Sequence, residues 1–409
     1  MPVRYQPPLP ADLASVPGVT LGTAAGHIKN WQRDDVLLVA FEPGTVAAGV
    51  FTQNRFCAAP VIICREHLAR GGSVRALLVN AGNANAGTGA AGIKAASLCC
   101  VAVAAQLGCT PEEVLLFSTG VIMEPLPVER IVEALPVASR ALASDHWFAA
   151  VLAIMTTDTV PKATSRIVSI DGVDITATGM AKGAGMIHPN MATMLALIAT
   201  DASIAAGLLQ TLTREIADVS FNCATIDGDT STNDSFVIAA TGKAGMAPIT
   251  AAGDPRLASL RIALTDIAVT LAQAIVRDGE GATKFITVRV EQGRDSAECR
   301  RIALGIAHSP LVKTAFFASD PNLGRIVCAI GNAATPDLDA SRVAFWLDDV
   351  LVVEGGSRSA GYLEADGQRV MQQEEITIRV ILGRGEAAAM VWTCDFSHEY
   401  VSINADYRS

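Results

Sequence analysis

The stretch MAKGAGMIHPNMATMLALIATDA (residues 180–202) sets a lysine, Lys182, ahead of small and flexible residues, a proline turn and the small-residue step Ala192-Thr193. Small residues let backbone approach backbone or a ligand. Taken alone, though, a threonine in an apolar run is a packing or capping residue. Ser118-Thr119-Gly120 offers two hydroxyls beside a flexible backbone N–H, and by itself it reads as loop capping. The acidic run 227–234 (DGDTSTND) suggests calcium, but its sixth position is Thr232 where an EF-hand needs glycine, and its twelfth is Ile238 where it needs glutamate. Gly279-Glu280-Gly281-Ala282-Thr283-Lys284 begins like a dinucleotide-binding turn yet lacks the last glycine and follows a helical segment.

Other chemistries drop out on spacing. There is no phosphate-binding P-loop and no G-x-S-x-G nucleophile elbow, and the six histidines show no metal-ligand spacing. Nine cysteines, odd in number, scattered and without a C-x-x-C, encode neither a disulfide framework nor a zinc site. They suit a reducing cytoplasm. The N-terminal MPVRYQPPLPADLASVPGV carries prolines where a signal peptide needs an unbroken apolar run, so a cytoplasmic location is expected. A net charge of −10 repels polyanions on average, which argues against a nucleic-acid partner. The most apolar stretches, 95–107 and 183–200, are interrupted or bounded by glycine, proline, histidine and asparagine, so no membrane partner is expected.

These groups need elements to hold them. Segments 36–41, 46–51, 60–64 and 74–79 are rich in Val, Ile and Leu between glycine, proline and asparagine, and read as strands. An asparagine-rich loop is predicted over 80–92. Helices are predicted over 91–107, 126–135, 141–153, 202–219 and 259–276. The spacing also gives a hairpin over 167–177, a loop leading into a strand over 225–240, and strands at 285–291 and 377–382. Strands and helices come in blocks without a βαβα rhythm, which favours an α+β layered architecture with largely antiparallel sheets. The glycine-rich 278–284 is the expected seam, dividing a core domain, 1–284, from a smaller C-terminal α+β domain, 285–409.

KGAGMIHPNMATML (182–195) closely resembles the processing and nucleophile motif of the ornithine acetyltransferase family, the ArgJ proteins of arginine biosynthesis. Similar to that family are also GNANAGTG (82–89), STGVI (118–122), EPLP (124–127), MTTDTVPK (155–162), FNCATIDGDTSTND (221–234), DGEGATK (278–284), KTAFFASDPNLGRI (313–326) and the C-terminal INADYRS. The blocks follow the family order from residue 80 to 409. Departures are Met123 where STGVIG has glycine, Gly87 where cysteine is common, Ala318 and Leu323 for glycine and tryptophan, and Ser409 for threonine.

The resemblance implies an α/β/β/α-type sandwich of the DmpA/ArgJ-like kind that cuts itself between Ala192 and Thr193, giving an α chain 1–192 and a β chain 193–409. It implies acetyl transfer from N-acetylornithine to glutamate through an acetyl-Thr193 ester. Thr119 and Gly120 match the oxyanion-hole pair, Lys182 is assigned to the substrate α-carboxylate, and Glu280 to the ornithine side-chain ammonium. Thr156, Asn404 and Ser409 match substrate-contact positions. No metal or bound cofactor is implied, acetyl-CoA entering, where it is used, as a second donor substrate. The assembly implied is a heterotetramer of two α and two β chains. Two rival readings are an N-terminal-nucleophile amidase or aminopeptidase, with water as acceptor, and a non-catalytic metabolite-binding protein.

Overall fold

A computed structural model describes residues 2–188 and 194–405 of the 409-residue chain. Ala192, Thr193 and Ser409 therefore lie outside the described residues. The chain divides into two compact units: Pro7–Asn222 with Asp229–Ala272, and Met1–Gln6 with Cys223–Gly228 and Gln273–Ser409. The sequence places the seam at 284; the structural division falls earlier, inside a helix, and adds two short upstream segments to the C-terminal unit.

The larger unit begins β1 (Val19–Ala24), β2 (Val36–Phe41), β3 (Val46–Phe51), α1 (Ala59–Arg70), β4 (Ala76–Asn83), α2 (Gly89–Leu107) and β5 (Val114–Val121). It continues α3 (Val128–Arg140), α4 (Trp147–Ile154), β6 (Lys162–Ile170), β7 (Val173–Lys182), β8 (Leu195–Thr200), α5 (Ala206–Val219), β9 (Ser235–Ala240) and α6 (Pro255–Arg277). One sheet has the order β1-β2-β4-β5, the other β3-β9-β8-β7-β6. Most pairings are antiparallel; β4 with β5 and β8 with β9 run parallel.

Alternation places Met180, Leu195, Leu197, Ala199, Val237 and Ala239 on one face of the second sheet, in a single hydrophobic core with the first sheet and α1–α4. On the opposite face, Ile267 and Leu271 of α6 close on Gly179, where an added Cβ would sit 2.6 Å from Ile267. The result is an α+β layered sandwich, as the sequence resemblance implies. Among the described residues two helices, α2 and α6, are long and apolar enough to cross a bilayer; α2 packs on α1 and α3, and α6 on β7.

Two sequence expectations are corrected. Residues 60–64 are not a strand but lie within α1. Pro60 fits the first helical turn, where its missing N–H costs nothing, and Pro60, Val61, Ile63 and Cys64 are buried with helical spacing. The loop expected over 80–92 is shorter, because β4 extends to Asn83 and α2 starts at Gly89.

The smaller unit carries β10 (Phe285–Gly293), α7 (Ser296–Ala307), α8 (Pro310–Phe317), α9 (Gly324–Gly331), β11 (Ala344–Leu347), β12 (Val350–Glu354) and β13 (Ser357–Arg358). It ends α10 (Glu364–Met371), β14 (Glu375–Ile381), β15 (Ala387–Cys394) and α11 (His398–Ala405). Its sheet order is β13-β12-β11-β14-β10-β15, with α7 packed on β10 and β15 over a separate core.

Candidate active site

The C-terminal ends of β5 and β7 carry the chemistry in the larger unit. Lys182, the last residue of β7, is only 4% exposed. Its Nζ donates to Thr119 Oγ1 at 3.0 Å and to Thr156 Oγ1 at 2.7 Å. Three residues singled out in the sequence thus meet at one ammonium. Each hydroxyl accepts from Lys182 and keeps its own O–H to donate elsewhere. A buried cation that fixes the direction of two O–H donors is suited to binding an anion or a developing oxyanion.

β5 owes its path to β4. Gly120 has φ +132°, and a Cβ there would lie 2.2 Å from Gly82 C and 2.5 Å from Asn83 N, so only glycine fits this approach. The asparagines of NAGNANAGTG are buried and brace the turn. Asn80 Oδ1 accepts from Ser118 Oγ at 2.6 Å, Asn80 Nδ2 donates to Asn83 O at 2.8 Å, and Asn83 Nδ2 donates to Glu124 O and Pro125 O. Met123, 73% exposed, adopts φ +69°, where glycine is unstrained. Two departures from the family pattern are neighbours in space: a Cβ on Gly87 would sit 3.1 Å from Met123 Cγ. The small residue at 87 makes room for the large one at 123.

Beneath Lys182 lies a pair that sequence reasoning did not single out. Asp158 Oδ1 accepts from Lys162 Nζ at 2.7 Å and from Gly183 N at 2.6 Å, while Oδ2 accepts from Thr156 N at 3.1 Å. Both side chains are fully buried. One carboxylate thereby fixes the backbone beside Thr156 and beside Lys182. The available signal was an acid and a lysine spaced i,i+4 inside MTTDTVPK. Burial alone raises the Asp158 pKa, but the Lys162 and Lys182 charges and the Gly183 amide outweigh it and hold the carboxyl below its usual range. A depressed carboxyl stabilises the fold above its unfolded pKa of about 3.9, and that stability is lost as pH falls through the folded value. Asp158→Asn leaves buried lysine charge uncompensated, so we expect a loss of about 3–5 kcal/mol. Urea unfolding should show the full difference between parent and variant from pH 7 down to about pH 4, with the gap closing only in stronger acid.

Glu280 and Asn404 meet in the smaller unit, where Asn404 Nδ2 donates to Glu280 Oε2 at 2.7 Å. The glycine-rich loop is held by Asp395, whose Oδ1 accepts from Thr283 N and Lys284 N, each at 2.8 Å. Gly281, at φ +69°, would put a Cβ 2.4 Å from Ser397 Oγ. The buried Lys313 donates to Thr393 Oγ1 at 2.9 Å and to Cys394 O, and lies 4.5 Å over the Phe396 ring. Phe396 stacks on Tyr400, whose Oη donates to Asp227. The KTAFF motif therefore braces the segment that leads to Asn404.

None of the nine cysteines, all among the described residues, is in a disulfide. Burial pushes the Cys64 and Cys394 thiols up to about 12, so neither is a thiolate near neutrality. Among the described residues no three His, Cys, Asp or Glu side chains gather as a metal site.

A layered α+β sandwich with a buried ammonium aligning two hydroxyls is a frame for acyl chemistry on small molecules. Residues 20–409 match the ArgJ family, and the chain belongs to it. That membership makes it an acyltransferase of arginine biosynthesis. Among solved structures it is similar to the arginine biosynthesis bifunctional protein ArgJ of Bacillus halodurans, at 35% identity over 51% of this chain and 97% of that one, TM-score 0.49. It is similar to the ornithine acetyltransferase of Mycobacterium tuberculosis, solved with ornithine, at 32% identity over 44% of this chain and 94% of that one, TM-score 0.38. A more distant likeness, at 11% identity over 68% of this chain and 89% of that one with TM-score 0.42, is to the L-aminopeptidase D-Ala-esterase/amidase of Ochrobactrum anthropi, a variant of the Ntn-hydrolase fold.

Proposed function

We propose that the protein transfers acetyl from N-acetylornithine to glutamate through an ester on Thr193, which becomes an N-terminal residue when the chain cuts itself after Ala192. The observation that carries the reading is the Lys182 ammonium shared by Thr119 and Thr156, in a chain of the ArgJ family. Cleavage is an acyl shift followed by hydrolysis. The Thr193 hydroxyl attacks the Ala192 carbonyl, the peptide C–N bond breaks as the ester forms and frees the Thr193 α-amine, and water then cleaves the ester, releasing the Ala192 carboxylate and restoring the hydroxyl. An α-amine has a pKa of about 7.7–8.0, so it can take the hydroxyl proton near neutrality and return it to the leaving amine.

In the first half-reaction the hydroxyl attacks the acetyl carbonyl, and ornithine leaves with the proton. In the second, the glutamate amine attacks the ester, and Thr193 regains its proton. Each tetrahedral intermediate carries an oxyanion, to which Thr119 donates its hydroxyl and Gly120 its N–H. Lys182 aims the Thr119 hydroxyl and supplies positive charge for the α-carboxylate common to both substrates. Thr156, Asn404 and Ser409 contact substrate, and Glu280 pairs with the ornithine side-chain ammonium. No metal or bound cofactor takes part. The working assembly is two α and two β chains in the cytoplasm, and acetyl-CoA serves as a second donor if the enzyme is bifunctional.

Thr119→Val keeps the side-chain shape and removes the hydroxyl, and should slow acetyl transfer by about 10²–10³. The direct test follows ornithine release from N-acetylornithine with and without glutamate, then glutamate acetylation from acetyl-CoA. Turnover that requires glutamate supports the transferase; equal release without it favours an amidase.

A further inference from the structure

β9 is entered through Asn233 and Asp234, two buried polar residues given no role above. Asn233 Nδ2 donates to Ser118 O at 2.9 Å and to Ala84 O at 2.6 Å. Its Oδ1 accepts from Thr232 Oγ1 at 2.5 Å, so the amide orientation is fixed by donors and acceptors on both ends. Asp234 Oδ1 accepts from Met194 N at 3.1 Å, and Ser235 N donates to Met194 O at 3.0 Å. Ser118 precedes Thr119, and Met194 follows Thr193. Two consecutive side chains therefore hold peptide groups next to the oxyanion donor and the proposed nucleophile, one in β5 and the other immediately before β8.

We propose that Asn233 and Asp234 are positioning residues that set Thr193 against the Thr119–Gly120 donors. The proposal rests on the catalytic reading above and adds the device that fixes its geometry. Their two Cα atoms are joined by one trans peptide, about 3.8 Å apart, so the separation of the two anchor points has little freedom. Asp234 Oδ2 is buried without a hydrogen-bond partner. Such a group is costly to retain in a core and is expected where position matters more than stability. Burial drives the Asp234 carboxyl well above the usual range, against the Met194 amide, Thr52 and Lys182. Asparagine matches the Asp234 side chain in shape and keeps an acceptor oxygen for the Met194 amide. Misplacement of a reacting group by about 1 Å costs on the order of 10²-fold in rate.

The test compares Asp234→Ala, Asp234→Asn and Asn233→Ala with the parent. Four quantities are read: cutting after Ala192, single-turnover acetylation of the cut enzyme by N-acetylornithine, ornithine affinity, and melting temperature. Asp234→Ala and Asn233→Ala should slow cutting and acetylation by roughly thirtyfold or more, with ornithine affinity within about twofold. Asp234→Asn should stay within about threefold of the parent in both rates. If Asp234→Ala does not fold, Asp234→Ser, too short to reach Met194 N, carries the same expectation. Parent-like rates in the alanine or serine variants overturn the proposal, as does a parallel fall of rate, affinity and melting temperature. A parent that acetylates on Thr193 while the variants match it sinks the clamp alone; a parent with no acetyl on Thr193 sinks the catalytic reading and the clamp together.

Discussion

Thr193→Ala is expected to abolish both chain cutting and acetyl transfer. In the proposed reaction the same hydroxyl opens the Ala192–Thr193 bond and later carries the acetyl group, so its loss removes the first step of each process. On a denaturing gel the parent should run as two bands near half mass, and the variant as one band of the full 409 residues. Thr193→Ser retains a hydroxyl and should keep part of each activity. Its extra rotamer freedom lowers the fraction of time the oxygen is aligned, so the loss is one of rate. Equal activity in all three proteins eliminates Thr193 as nucleophile.

Lys182→Met is the second large effect. Methionine keeps much of the apolar stem but deletes the charge, the donor to Thr119 and the donor to Thr156. Under the proposed assignment a substrate carboxylate then enters a buried site without its counter-ion, at a cost of about 2–5 kcal/mol in binding or transition-state stabilisation. Donor and acceptor share the α-carboxylate, so ornithine release in a single turnover and capture of acetyl by glutamate should both suffer. If both steps stay within about threefold of the parent, under ~1 kcal/mol, the assignment of Lys182 is wrong.

Much of this arrangement is legible in the sequence because the family motifs are local. KGAGMIHPNMATML and STGVI mark Lys182 and Thr119 without any geometry, and MTTDTVPK marks Thr156. Their meeting is not legible, since Lys182 and Thr119 lie 63 positions apart and no periodicity reports a contact made across two sheets. Asp158 escapes notice for a similar reason. Its value comes from holding Gly183 and Thr156 N at once, which only the turn into β6 makes apparent. The strand expected at 60–64 fails because a short apolar run fits either a buried strand or one side of a helix, and Pro60 tolerates both strand edge and first helical turn. The hairpin around Asp171–Gly172 is legible because alternation over β6 and β7 and a tight turn agree.

The central claim, that Thr193 is a nucleophile released by self-cleavage, is tested most directly by the mass of the β chain after incubation with N-acetylornithine alone and acid quenching. The account predicts a chain spanning 193–409 that is one acetyl group heavier, with fragmentation placing the group on Thr193 and glutamate removing it. A fully active protein whose chain is uncut, or whose acetyl group resides on any other residue, would contradict it.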